Sequence, residues 1–201
     1  ADAIPMLEEG LRILGEVPNV ASELNTNAQL ALAHHHLGHR DAALEVAGRV
    51  LALADRVSCT VYSLDIGFSA VAQVYFDLWE QALRTPDGTI DQAAMKAGAK
   101  RAVKLLRRFA GTFPIGKPYA LYFQGWYDSL TMKPLQALTA WRRGLEAARK
   151  YNLLYEEGLL RLRLGTAEAH EEHPARAVEI FTVMGAAREL QQAEELLQGR
   201  K

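Results

Sequence analysis

Several groups of residues in this 201-residue chain have types and spacings that could do chemistry. Gly111 through Lys117 fits the string GxxxxGK of a phosphate-binding loop. That loop cradles phosphate with backbone N–H groups between a strand and a helix, and needs a Ser or Thr after the lysine for magnesium. Here Pro118 follows, which has no N–H, and the preceding residues read as helix. The segment is therefore read as a helix-breaking loop. His34, His35, His36 and His39 suggest zinc, because His35 and His39 would share a helical face. The helix is expected to end near Leu37 and Gly38, and no Cys or carboxylate completes the four ligands of a closed site. His170-Glu171-Glu172-His173 spaces its imidazoles at i,i+3 rather than the i,i+4 of a zinc protease, and Pro174 follows; it reads as a solvated turn. No metal and no cofactor are expected. Cys59 lies between Ser58 and Thr60 at an expected helix start, where a thiol pKa can be lowered, or else serves as a small space-filler. With no nucleophile elbow and no paired carboxylates set in apolar sequence, the chain reads as non-catalytic.

Lys96, Lys100, Lys104 and Arg108 recur every four residues, with Arg101 and Arg107 beside them, which makes a basic helix face. A nucleic-acid reader would add overall basic charge and stacking aromatics, and this chain has net charge −1. The face reads as solvated, with docking onto an acidic partner as the alternative, and no nucleic acid is expected.

Nearly every element that must position these groups reads as helix. Residues 5–14 are a short amphipathic stretch stopped by Gly15 and Pro18, inside a partial N-terminal repeat at 1–17. Helical hairpins are expected at 22–57, 60–110, 119–150 and 155–185, and a capping helix at 187–198. Within them Ser22 or Asn25, then Asp41, are expected caps, and Asp91 is expected to open a helix running to about Ala110. Thr85-Pro86-Asp87-Gly88 reads as a turn. Pro134 and Pro174 open helices. No linker or low-complexity segment interrupts the chain, so 1–201 reads as one domain. Its 49% hydrophobic and 23% charged residues are ordinary for a globular protein. One cysteine precludes an intrachain disulfide and suits a reducing compartment. No apolar run approaches the ~20 residues of a membrane span, so a cytoplasmic location with no membrane contact is expected. The abrupt ends, Ala1-Asp2-Ala3 and Gly199-Arg200-Lys201, are expected to be cuts inside a longer protein.

One spacing recurs: Ala31–Ala43–Ala47, Gly125–Ala137–Trp141 and Gly165–Ala177–Phe181. It resembles the tetratricopeptide pattern, in which a small residue late in helix A meets an alanine and then a bulky residue in helix B. The second hairpin departs from it, since Gly67 and Ala70 have no alanine twelve residues on in helix B. The expected fold is thus all-α, a tetratricopeptide-like superhelix of helical hairpins, an α-solenoid.

The resemblance extends further. Arg107 through Pro118, Gly125-Trp126-Tyr127, Ala137 through Arg143, Tyr75 through Glu80, Tyr155 through Gly158 with Leu164-Gly165, and Ala177 through Phe181 are similar to the repeat region of multidomain signalling proteins. Those proteins join a nucleotide cyclase or kinase domain to a STAND/AAA-type ATPase and a C-terminal tetratricopeptide array. The resemblance implies a scaffold or regulatory module that binds a protein, a peptide or a domain of its own parent chain. The alternative is a small-ligand sensor. In such repeats helix A lines the concave groove, which places His35, His36, Tyr75, Tyr119, Tyr122, Trp126 and His170 there. By periodicity alone, aromatics at helical spacing more often fill the core, and that is the alternative for this stripe. Trp141 and Phe181 are expected in the core.

Overall fold

The computed structural model describes residues 3–85, 88–168 and 170–199. The chain ends at 1–2 and 200–201 and the centre of the expected Thr85–Gly88 turn, Pro86 and Asp87, lie outside the described residues, as does Ala169. The described residues form α-helices and one short 3-10 turn, with no strand among them. The chain divides after Phe113 into two compact units.

The first unit holds α1 (Ala3–Glu16), α2 (Val20–His36), α3 (Arg40–Ala54), α4 (Leu64–Arg84) and α5 (Gln92–Thr112). α2 pairs with α3 and α4 with α5, while α1 and α4 pack on α2. Ala31, Ala43 and Ala47 are fully buried, as the recurring spacing predicts for the seam of the first hairpin. Asn19, rather than Ser22 or Asn25, caps α2, its Oδ1 accepting from the N–H of Ser22 at 3.0 Å. Asp41 does not cap α3, because the helix already begins at Arg40 and the cap position falls on His39. Asp91 caps α5 as expected, accepting from the N–H groups of Ala93 and Ala94.

α4 starts four residues later than the sequence suggests. Arg108 of α5 braces the segment that precedes it: its Nη2 donates to the carbonyls of Ala54 and Val57, and its Nε lies 3.0 Å from Cys59 Sγ. Those contacts give the carbonyls of Ala54 and Val57 a side-chain donor where α3 has ended. Cys59 is accordingly buried in a turn and not at a helix start.

The second unit begins with the 3-10 turn Pro114–Gly116, followed by α6 (Lys117–Leu130), α7 (Pro134–Lys150), α8 (Leu154–Ala167), α9 (Glu172–Met184) and α10 (Ala187–Gln198). α6 pairs with α7 and α8 with α9; α7 packs on α8, and α10 on α9 and α8. Pro118 belongs to the first turn of α6, where its missing N–H has no helical acceptor to serve. Gly111 does not break α5, which continues to Thr112. α9 ends at Gly185, whose left-handed φ of 67° turns the chain into α10. Ala193 of α10 joins a core of Leu162, Ala177, Ile180 and Phe181.

A recurrent device fixes the α4/α5, α6/α7 and α8/α9 hairpins: an aromatic ring occupies the space where a glycine lacks a side chain. Trp141 lies on Gly125 so closely that an added Cβ would collide with the indole. Its Nε1 donates to the carbonyl of Tyr122 at 3.1 Å, which fixes the ring's orientation. Phe181 lies on Gly158, where a Cβ would stand 2.6 Å from the ring, and not on the Gly165 that the spacing suggested. In α4/α5 the polarity reverses: Tyr75 of the first helix covers Gly98 of the second.

This packing predicts opposite outcomes for the same substitution. Gly125→Ala and Gly98→Ala each force a rigid ring to move and cost about 1–3 kcal/mol. Gly48→Ala, in the exposed middle of α3 with nothing near its Cβ position, gains about 0.5–1 kcal/mol. Urea denaturation of the three variants checks both signs.

Candidate functional site

The residues expected in a groove divide between surface and interior. In the first unit His36 is exposed, while His35 is held half-buried between helices. His35 Nε2 lies 2.9 Å from Asp77 Oδ2 on α4, and Asp77 Oδ1 accepts from Gln73 Nε2 at 2.8 Å. This chain ties α2 to α4, so His35 serves packing between hairpins. Tyr75 is buried under its own hairpin at 8% exposure, and burial raises its phenol pKa against the opposing charge of Arg101. It does not line an open groove, because the empty space over Gly98 takes its ring.

In the second unit Tyr122 and Trp126 are 6% and 2% exposed. The expectation that they open onto a groove is corrected in the same way: both are packed, and Arg163 covers them. The guanidinium of Arg163, on α8, sits 3.5 Å from the centroid of the Trp126 ring and 5.5 Å from that of Tyr122. The rings form a ladder along α6. Tyr119 stacks on Phe123 at 6.4 Å, and Phe123 stacks on Trp126 at 6.1 Å with an interplanar angle of 14°. The spacing 119, 123, 126 places the three on one helical face. Only the two ends, Tyr119 and Arg163, reach the surface, each half-buried. His170 is exposed and lies ahead of α9.

Arg163 is the residue that sequence reading missed. It is 41 residues from Tyr122, whose hydroxyl its Nε approaches at 3.4 Å. No local spacing reveals a cation brought over a ring by the pairing of two hairpins. A cation over an indole face contributes about 0.5–2 kcal/mol depending on desolvation.

A second polar group lies within this unit. Glu157 and Arg161, 7% and 3% exposed, pair at 2.8 Å, with Arg149 3.6 Å from the same carboxylate. Arg142 and His173 share Glu168. Arg161 Nη1 and His173 Nδ1 are buried without a hydrogen-bond partner. Burial, and then the charge of Arg161, hold the His173 imidazole below its ordinary pKa, against the opposite pull of Glu168 and Glu172. Among the described residues no three His, Cys, Asp or Glu side chains converge as a metal would require. His34 and His39 instead approach each other ring to ring, Nδ1 to Nδ1 at 3.4 Å.

The first unit also carries an open depression of about 560 Å³ where α1, α2 and α3 meet. Leu11, Leu14, Ala52 and Leu53 line it, with Arg49 and Arg56 among its polar groups. Arg49 is engaged by Glu45 at 2.5 Å. No helix among the described residues is long and apolar enough to cross a membrane. No protein-family model matches the chain, and no curated protein sequence matches it.

Two outcomes follow from the buried charges. Glu157→Gln leaves Arg161 buried without its carboxylate and costs about 3–5 kcal/mol, whereas Glu157→Leu with Arg161→Leu restores stability close to the wild type; chemical denaturation measures both. His173 has a folded pKa below its unfolded one, so the unfolded chain takes the proton first. Its contribution is present above about pH 6.5 and is lost as pH falls toward the lowered value. Melting temperature therefore drops more steeply for the wild type than for His173→Gln between about pH 7.5 and 5.5.

Proposed function

We propose that the chain is a non-catalytic interaction and regulatory module, a tetratricopeptide-like array acting in the cytoplasm as part of a larger signalling protein. It binds a peptide, or a neighbouring domain of its parent chain, through the exposed faces of the first helices of its hairpins. The observation that carries this reading is the ladder Tyr119–Phe123–Trp126 ending in Arg163. Its interior is rigid and desolvated, and its two surface ends are Tyr and Arg, the residue types that dominate binding hot spots. A ring and a guanidinium already held in place lose little freedom on binding, which favours affinity. His36 and His170 add exposed polar groups on their own units.

A second reading, a small-ligand sensor, rests on the depression between α1, α2 and α3. Its volume falls within the roughly 300–1,000 Å³ of ligand sites, and it combines apolar walls with a few polar groups.

The two readings give separate outcomes. Affinity capture on the immobilised protein with quantitative mass spectrometry retains a partner that the variant Tyr119→Ala with Arg163→Ala loses by about tenfold or more. A partner held equally by both proteins, with helicity unchanged by circular dichroism, would falsify the ladder assignment. In a metabolite thermal-shift screen the sensor reading expects a stabilising ligand whose effect vanishes in Arg56→Ala. A screen without a stabilising ligand counts against that reading.

A further inference from the structure

We propose that the outward face of α5 docks an acidic helical segment of a partner protein. α5 carries six cations, Lys96, Lys100, Arg101, Lys104, Arg107 and Arg108, and no carboxylate. Two of them have structural work: Arg101 pairs with Asp55 at 2.5 Å and donates to the carbonyl of Leu51, and Arg108 holds the 54–59 segment. The other four, Lys96, Lys100, Lys104 and Arg107, are exposed and form no ion pair among the described residues. Elsewhere arginines meet carboxylates on their own helices, as in Arg12 with Glu9 and Glu16, Arg84 with Glu80, and Arg176 with Glu179. The missing carboxylates are therefore peculiar to α5.

The four free cations are spaced at i, i+4, i+8 and i+11, which makes one stripe with two steps of about 6 Å and a last one of about 4.5 Å along the axis. Like charges at i,i+4 destabilise a helix by a few tenths of a kcal/mol per pair. The fold gains nothing from this stripe, and an opposing row of carboxylates relieves the repulsion. Carboxylates at the same spacing on a second helix meet the cations one for one.

The surroundings select a helix over a polyanionic strand. Ala93, Ala97 and Gly111 lie on the same exposed face, Ala97 beside the lysines and the other two beyond the ends of the stripe, so another helix can approach closely there. No aromatic belongs to the stripe to stack on a base. The rest of the chain holds 17 of the 23 Lys and Arg but all 24 Asp and Glu, which repels an extended polyanion at a distance while a local acidic helix is accepted. The site lies on the second helix of its hairpin. It is independent of the Tyr119–Arg163 ladder, and either can fail without the other.

The test uses the full chain and a fluorescein-labelled, alanine-based peptide of about 18 residues with glutamates at i, i+4, i+8 and i+11. Fluorescence anisotropy is read at low and at physiological salt. The expected result is binding that weakens with salt and falls about tenfold or more in Lys100→Glu with Lys104→Glu. A lysine-for-glutamate version of the peptide then binds that variant better than it binds the wild type. Lys96→Gln with Arg107→Gln gives an intermediate loss, and circular dichroism verifies helicity in each variant. The proposal is overturned if the peptide does not bind at low salt. It is equally overturned if a peptide of the same composition with scattered glutamates binds as well. Tighter binding of a single-stranded oligonucleotide or of anionic vesicles assigns the stripe to another class of partner and also overturns it.

Discussion

The structure depends on one steric constraint, met in three of its hairpins: two helices approach closely where one lacks a side chain and the other supplies a ring to fill the space. Trp141 on Gly125, Tyr75 on Gly98 and Phe181 on Gly158 all meet it. Each pairing sets the axial offset of its hairpin, because a shift by one residue would put a Cβ into the ring. The hydrogen bond from Trp141 to the Tyr122 carbonyl adds a directional restraint to the steric one. Hydrophobic burial supplies the driving force, but it is non-directional and does not choose among offsets. The ring-on-glycine contacts do.

That constraint also governs which aromatics remain available for recognition. A ring used to close a hairpin is lost to the surface, and this removes Tyr75. Along α6 the rings not used in this way stack on one another, and a cation from α8 covers the innermost pair. What emerges at the surface is therefore a small set of groups backed by a rigid interior. The basic stripe of α5 follows the opposite logic: nothing in the fold employs it, and its charge is left uncompensated.

Much of this was legible in the residues. The pairing of Gly125 with Trp141, the burial of Ala31, Ala43 and Ala47, the start of α7 at Pro134, the Asp91 cap and the span of α10 all follow from local rules of spacing, capping and proline placement. The failures are non-local. The Gly98–Tyr75 contact reverses the order of small and large residues, so a template that seeks the small residue first passes over it. Phe181 chose Gly158 over Gly165 because Pro174 and Leu196 already occupy the space beside Gly165. The segment between α3 and α4 is braced by Arg108, 49 residues from Cys59. Arg163 over Trp126 depends on which hairpins are neighbours. Periodicity could tell that the aromatics shared a face but not whether that face met water or another helix.

The reversed polarity of α4/α5 constrains how such a chain can be rearranged by recombination. A chimaera joining α4 to α7 in the native offsets would set Tyr75 and Trp141 as two rings competing for one space. The complementary chimaera, α6 with α5, would set Gly125 against Gly98 and leave a void. The α4/α5 and α6/α7 hairpins are thus exchangeable only as whole pairs, and a crossover placed inside either separates a ring from the gap it was selected to fill.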